Sequence, residues 1–525
     1  MRRKTLSLTL AATTVAATAV ALTVIPEVSV ATPDTAATTQ DTVRWGPCSE
    51  KADSARKAAS PSKAASADKA ASARKAASSR LECSTLKVPL DYRDPGGRQI
   101  EIAISRLASE KPSQRRGVLL TNPGGPGITG LGYPAVLAAS KLPQKVLDSY
   151  DVIGFDPRGV GRSTQVTCDL TPAQRSRGNL PPYAHTAADV TRAAGNARTI
   201  AEQCATSRTA WMLPHTTTAN TARDMDRIRT ALGERTLSYL GGSYGSYLGA
   251  VYTTLFPGRS DRIVLDSNLS PGGYDVTATR SLARGMEDRF PDFAAFAAAH
   301  PEYGLGTTPQ QVTAKFFELA KRLEAKPVRG IDATLFRGIT FDRLYSDASM
   351  PSVAEMWQAL DKDRPLPPDT PPSMENMENF MSARFAVTCG DSRWPGTVRE
   401  YQRNVAVDRL RYPMLGGSAA SIGPCAFWPD ERVEPPVRIG DRGPSNVLMV
   451  QNERDPGTPL AGAKKLRRAF GKRATMVTAD QGGHGVYPFG LNMCANDAVT
   501  EFLTTGQRPA RDLACAAEPD ASPTT

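Results

Sequence analysis

Leu237-Ser238-Tyr239-Leu240 runs straight into Gly241-Gly242-Ser243-Tyr244-Gly245, and residues 246–252 then read SYLGAVY. The first four residues have the composition of a short buried strand, and the last seven form an apolar helical run. Between them lies a G-x-S-x-G pentapeptide in a strand–turn–helix setting. A turn this tight needs small residues on either side of the serine, which then projects from the edge of the sheet. The alternative is a glycine-rich turn with a serine that merely caps the helix, a role that suits Ser246 better. Ser243 is therefore the candidate nucleophile, and a serine hydroxyl needs a base to act as one.

The same punctuation recurs along the chain. Val118-Leu119-Leu120 leads into NPGGPG (122–127), and Asp151–Phe155 leads into DPRGVGRS (156–163). Ile263-Val264-Leu265 leads into Asp266, Val447–Val450 into QNERDPGTP (451–459), and Thr475-Met476-Val477 into DQGGHG (480–485). Apolar strands with polar and glycine residues just past their carboxyl ends predict an α/β fold with a mostly parallel sheet. An antiparallel hairpin over 85–90 and 99–105 opens it. The alternation breaks from 271 to 430, where helical patterns near 275–299, 308–326 and 351–362 predict a mainly helical cap over the carboxyl edge.

In sheets of this kind the chain order is serine, acid, histidine. His484, in Gly482-Gly483-His484-Gly485 after the last strand, is the expected base. Asp455, after the 447–450 strand, is the expected orienting acid. Its rival is Asp266, and Glu453 and Asp480 lie nearby. The oxyanion formed on attack needs two backbone donors: Tyr244 N–H is one, and Gly125 in the NPGGPG turn is favoured for the other. Asp156 and Arg158 read as structural partners of an adjacent loop.

Of 525 residues, 64 are Lys or Arg and 53 Asp or Glu, a net charge of +11. Eight basic and two acidic side chains fall in KADSARKAASPSKAASADKAASARKAASSR (51–80), so this tract holds more than half of the excess. The rest is nearly balanced, which argues against nucleic acid as a partner. The tract has no apolar face and reads as a solvated insertion. Its functional alternative is weak adhesion to anionic cell-wall polymer or lipid. Arg2-Arg3-Lys4 followed by an apolar run from Leu6 to Ile25 and Ser29-Val30-Ala31 reads as a secretory signal, with an uncleaved anchor as the alternative. Residues 1–40 thus comprise the signal with room for a pro-segment. The eight cysteines, Cys48, Cys83, Cys168, Cys204, Cys389, Cys425, Cys494 and Cys515, suit four disulfides in an exported chain. Their connectivity stays open, although pairing nearest neighbours would make each a local staple. With four scattered histidines and no ligand spacing, neither a metal nor a cofactor is expected.

Taken together, NPGGPG, GFDPRGVGRS, GGSYGSYLGA, AVTCGDS (386–392), the Asp455 loop and GGHG resemble the secreted tripeptidyl aminopeptidases of actinomycetes, α/β-hydrolase serine peptidases related to proline iminopeptidases. The likeness runs from about Trp45 to Cys515. It implies the α/β-hydrolase fold, with core over 41–270 and 431–525, the latter a TAP-like segment, and the cap over 271–430. It implies Ser243, Asp455 and His484 as the triad, and release of short peptides, tripeptides foremost, from free N-termini. Two departures stand out: Pro123 replaces the histidine that proline iminopeptidases carry before the GGPG turn, and the 51–80 tract is an extra. An aminopeptidase needs a carboxylate to meet the substrate ammonium, and Glu287, Asp288, Glu355 and Asp391 are candidates, Asp391 doubling as a structural group beside Cys389. The competing functions are a secreted esterase or lipase on the same triad, and a non-catalytic surface binding protein. Oligomeric state is not legible.

Overall fold

The computed structural model describes residues 43–48, 72, 74–175, 180–368, 377–429 and 432–518. The expected signal region and most of the basic tract lie outside them. Within the described residues ten strands form one sheet: β1 (Gly46–Pro47), β2 (Glu82–Pro89), β3 (Gln99–Leu107), β4 (Gly117–Asn122), β5 (Tyr150–Phe155), β6 (Leu237–Gly242), β7 (Ser260–Asp266), β8 (Val447–Arg454), β9 (Ala474–Gly482) and β10 (Leu513–Cys515). Their order is β1-β2-β3-β5-β4-β6-β7-β8-β9-β10. The pairs from β1 to β5 are antiparallel, and every pair from β5–β4 onward is parallel. Strands β4 and β5 are buried at every position, as central strands covered on both faces must be.

Helices fill the crossovers: α1 (Tyr133–Ala139), α2 (Gln144–Ser149), α3 (Ala187–Thr206), α4 (Thr218–Ala231), α5 (Tyr244–Leu255), α6 (Val276–Ala299), α7 (Pro309–Ala325), α8 (Ala333–Arg343), α9 (Met350–Asp361), α10 (Met377–Asp391), α11 (Val398–Arg411), α12 (Leu460–Phe470) and α13 (Met493–Thr505), leaving single-turn helices aside. Parallel strands joined by helices, with an antiparallel hairpin at one edge and a helical insertion between β7 and β8, make an α/β-hydrolase fold.

The insertion has its own apolar core. Trp357 is fully buried, ringed by Phe290, Phe293, Phe316 and Phe336 at 5.0–6.0 Å between centroids. Its indole N–H donates to Thr340 Oγ1 at 3.1 Å. Residues of α6 to α9 build this cluster. Helix α10 packs Met381, Phe385, Ala386 and Val387 into the main core cluster rather than into the one around Trp357.

Four disulfides join Cys48–Cys83, Cys168–Cys204, Cys389–Cys425 and Cys494–Cys515, each pair of nearest cysteines in the chain. The first brackets the basic tract. The end of that tract is less solvated than its composition suggests: residues 74–78 are helical and Ala77 is buried together with Leu81. Both are carried onto a face of the sheet as the chain enters β2.

Arg158 and Asp156 hold the loop after β5 in place. Arg158 is fully buried and meets both carboxylate oxygens of Asp224 at 2.7 and 2.6 Å, while also donating to Pro89, Leu90 and His215 carbonyls. Asp156 accepts the Gly130, Leu131 and Arg162 N–H groups. Removing one partner of a buried pair leaves an uncompensated charge, so Asp224→Ala is expected to cost about 3–5 kcal/mol. Urea unfolding should show this as a clearly lower midpoint, and an unchanged midpoint would contradict it.

Candidate active site

Ser243 closes β6 and opens α5 with φ 58° and ψ −126°. Positive φ at a non-glycine residue costs on the order of 1–3 kcal/mol, so the surroundings must impose it. Its N–H donates to Asp266 O at 3.0 Å. Neighbouring backbone closes in where glycine leaves room: a Cβ on Gly245 would stand 2.7 Å from Asn122 O, and one on Gly124 2.8 Å from Ser243 Cβ. The register explains this crowding, since Asn122 of β4 pairs with Gly241 of β6. The two glycine turns therefore leave adjacent strands side by side, at the point where strand order reverses and open sheets form crevices. Ser243 itself is only partly buried.

The NPGGPG turn presents its backbone to the same spot. Asn122 Oδ1 takes the Gly124 N–H at 2.9 Å. The N–H groups of Gly125 and of Tyr244, the first in α5, have no hydrogen-bond partner among the described residues. Arg384 of α10 donates to Gly125 O at 2.5 Å and lies over the Tyr274 ring at 4.5 Å. Nothing in the sequence singles out Arg384, because only the tertiary placement of α10 brings its guanidinium to this turn.

Asp455 and His484 leave the ends of β8 and β9, whose last residues pair as Arg454 and Gly482. His484 donates Nδ1–H to Asp455, with distances of 2.9 and 3.0 Å to its two oxygens. The carboxylate is fixed in turn by Gly457 N–H, Thr458 N–H and Thr458 Oγ1, each at 2.8 Å. Gln451 Nε2 adds a bond at 3.3 Å. Burial disfavours a charged imidazole here, yet the adjacent carboxylate outweighs it and the His484 pKa stands above its ordinary 6.5. Asp266 is not on the imidazole. Its oxygens accept Val486 and Tyr487 N–H at 2.8–3.0 Å, so it anchors the loop that carries His484. Burial raises its pKa to about 6 despite those bonds. Glu453 is exposed, and Asp480 pairs with Arg454 at 2.6 Å.

The cap reaches this centre directly. Tyr345 packs its ring on His484 at 4.6 Å, and its carbonyl accepts His484 N–H at 2.7 Å. Helix α6 crosses the Asp455 loop at Gly285, where a Cβ would stand 2.1 Å from Pro456 O.

The four expected amine-binding acids are not assembled here. Asp391 gives both oxygens to Thr218, whose hydroxyl also meets Tyr244 Oη, so it caps α4 as a structural group. Glu287 accepts Met414 N–H at 3.0 Å, Asp288 pairs with Arg284 at 3.2 Å, and Glu355 sits exposed on α9. Among the described residues no cluster of metal-ligating side chains occurs, and no helix is long and apolar enough to cross a membrane.

Residues 412–515 match the family model described as TAP-like protein. Over 461 residues, 84% of either chain, the sequence is 38% identical to tripeptidyl aminopeptidase of Streptomyces lividans. The chain belongs to the tripeptidyl aminopeptidase family. It is a serine peptidase of the α/β-hydrolase fold. Serine protease Hip1 of Mycobacterium tuberculosis is 29% identical, covering 82% of this chain and 87% of that relative. Carboxylesterase B of the same species is 31% identical, covering 83% and 86%.

The His484–Asp455 contact makes a titration prediction. In the wild-type protein the His484 ring signals should titrate above pH 6.5 by NMR. Asp455→Asn removes the charge that favours imidazolium and leaves burial, which opposes it, so the midpoint should move to lower pH. A midpoint unmoved by that substitution would mean the pair is not formed in solution.

Proposed function

We propose that this peptidase is secreted and releases short peptides, tripeptides foremost, from free peptide N-termini through an acyl-enzyme. The observation that carries the reading is the Asp455–His484 pair at the ends of β8 and β9, linked to the strained Ser243 turn through Asp266 of β7, which takes the Ser243 N–H on its carbonyl and the Val486 and Tyr487 N–H groups on its carboxylate. The similarity to a tripeptidyl aminopeptidase across 84% of the chain supports the substrate class. Four disulfides suit an oxidising compartment, in keeping with the signal-like start of the sequence.

In this reading His484 Nε2 takes the Ser243 proton as Oγ attacks the scissile carbonyl. Asp455 holds Nδ1–H, which fixes the tautomer and stabilises the imidazolium. The negative oxygen of the tetrahedral intermediate is received by Gly125 and Tyr244 N–H, which have no other partner among the described residues. Arg384 steadies that turn through the Gly125 carbonyl. His484 then protonates the leaving amine, and water, activated by the same imidazole, frees the acyl group. The reaction needs neutral His484. Because its pKa is raised, kcat/KM should fall on acidification from above pH 6.5.

An esterase is the second reading, favoured by the carboxylesterase B relative. Turnover of a tripeptide amide against a matched simple ester separates the two. Ser243→Ala should lower amide turnover by about 10⁴–10⁶-fold with little change in thermal stability, because the side chain makes no hydrogen bond among the described residues. Near-normal turnover in this variant would remove Ser243 from the mechanism. Within the wild-type enzyme, N-acetylation of a tripeptide amide should reduce kcat/KM by roughly 10²-fold or more. Equal cleavage of the free and acetylated forms would point to an endopeptidase or a general esterase.

A further inference from the structure

Tyr244 opens α5, and acyl transfer as proposed uses only its backbone N–H. Its side chain turns inward: the residue is 3% exposed, and its Oη meets Thr218 Oγ1 at 2.5 Å. Thr218 is the first residue of α4 and is buried as well. Its hydroxyl is also 2.5 Å from Asp391 Oδ2, and its N–H donates to Asp391 Oδ1 at 2.9 Å. Asp391 ends α10, just beyond the Cys389–Cys425 disulfide. Capping α4 accounts for the N–H bond alone. The hydroxyl chain runs past the cap and ends on the residue that follows Ser243. Proton accounting gives this chain a direction. Burial raises the Asp391 pKa to about 6, so at mildly alkaline pH the carboxylate is ionised and only accepts. The single hydroxyl proton of Thr218 goes to Asp391, and Tyr244 must then donate its phenolic proton to Thr218 Oγ1. The order is Tyr244 O–H to Thr218 O–H to Asp391, and the last link is charge-assisted. Helix α10 also holds the other oxyanion donor's residue, since Arg384 donates to Gly125 O. The two donor turns are close-set: a Cβ on Gly124 would stand 3.0 Å from Tyr244 N.

We infer that Asp391 is a positioning residue for the oxyanion site, acting through Thr218 and Tyr244 to fix the direction of the Tyr244 N–H. This deepens the acyl-enzyme reading and rests on it. The first N–H groups of a helix have no partner within it, so α5 alone does not hold this one to a single direction. Its aim follows the first turn, which is anchored on one side by the Ser243 N–H bond to Asp266 O and on the other by the Tyr244 side chain. Stabilising a transition state needs donors already aimed where charge develops, so a small rotation of Tyr244 costs rate without costing substrate binding. Asp391→Asn turns the chain round rather than merely weakening it. The Thr218 N–H still needs an acceptor, which sets the amide oxygen there and the amide nitrogen against Thr218 Oγ1. Thr218 then accepts from the amide and passes its own proton to Tyr244 Oη. The phenol O–H is left without its acceptor in a buried place, which is penalised.

The test uses the full-length enzyme at mildly alkaline pH and two inhibitors built on one tripeptide, an aldehyde and the corresponding alcohol. With the aldehyde, Ser243 Oγ bonds to the carbonyl carbon, its proton passes to His484, and the former carbonyl oxygen becomes an oxyanion facing Gly125 and Tyr244. The alcohol fills the same subsites and forms no such bond. Asp391→Asn should weaken aldehyde binding by about 10–10²-fold, less than the loss of a whole oxyanion donor. It should lower kcat on a tripeptide p-nitroanilide by a similar factor, with KM and alcohol affinity within about twofold of wild type. Tyr244→Phe should show the same pattern, and adding Asp391→Asn to it should cost little more, because both changes break one chain. Thr218→Val should behave like them, whereas Thr218→Ser keeps the hydroxyl and should retain most of the activity. If Asp391→Asn does not fold, the two threonine variants and Tyr244→Phe decide the question. Equal losses of aldehyde and alcohol affinity would mean a distorted pocket and overturn the inference, as would an unchanged aldehyde affinity or additive losses in the double variant. Should the wild-type enzyme bind the aldehyde no more tightly than the alcohol, the acyl-enzyme reading fails first, and the wild-type constants alone reveal it.

Discussion

Everything at the reactive centre depends on one strained residue. Ser243 is held at φ 58°, a conformation that its own side chain opposes. The packing that enforces it is the close approach of β4 and β6 and of the turns that follow them. Gly124 and Gly245 allow backbone to come within contact of the serine and of Asn122, and Asp266 O takes the Ser243 N–H. A larger residue at either glycine would push the turns apart, release the strain and move the hydroxyl. The strained serine and the two N–H groups directed beside it therefore arise from one packing arrangement.

The second dependency runs between the cap and His484. His484 is fixed from three sides: Asp455 at Nδ1, Asp266 through the N–H groups of Val486 and Tyr487, and Tyr345 through its ring and carbonyl. Tyr345 belongs to the helical insertion. The insertion is itself joined to the end of β8 by Arg454, which bonds Asp292 of α6 at 3.0 Å, and Asp292 is held in turn by Arg289 of the same helix. Arg289 is almost wholly buried, so this joint has little freedom to open. The insertion thus does more than roof the crevice. It supplies part of the scaffold that orients the His484 imidazole.

Helix α10 plays a comparable part on the other side. Arg384 meets the Gly125 carbonyl, Asn379 bonds Gly159 O, Val166 O and Gly161 N–H, and the Phe380 carbonyl lies where a Cβ on Gly127 would go. One helix therefore clasps both glycine loops, those after β4 and after β5. Its far end is tied by the Cys389–Cys425 disulfide.

Local chemistry writes part of this arrangement directly into the order of residues. Strand ends followed by glycine turns announce themselves, because parallel strands need continuous apolar runs and sharp turns need small residues. Hence the sheet, the Ser243 turn, the insertion and the order of Ser243, Asp455 and His484 are all legible along the chain. The choice between Asp455 and Asp266 is not legible in that way: both follow strands, and only the fold shows that one faces Nδ1 while the other holds backbone N–H groups. The same limit applies to the amine-binding acid. Glu287, Asp288, Glu355 and Asp391 suit the role by type and region, but an amphipathic helix does not reveal which of its acids turns toward a crevice and which toward solvent or another loop. Tyr345 and Arg384 carry no sequence signal because their significance is relational. Each meets its neighbour, His484 or the Gly125 carbonyl, more than a hundred residues away, and only tertiary packing decides that.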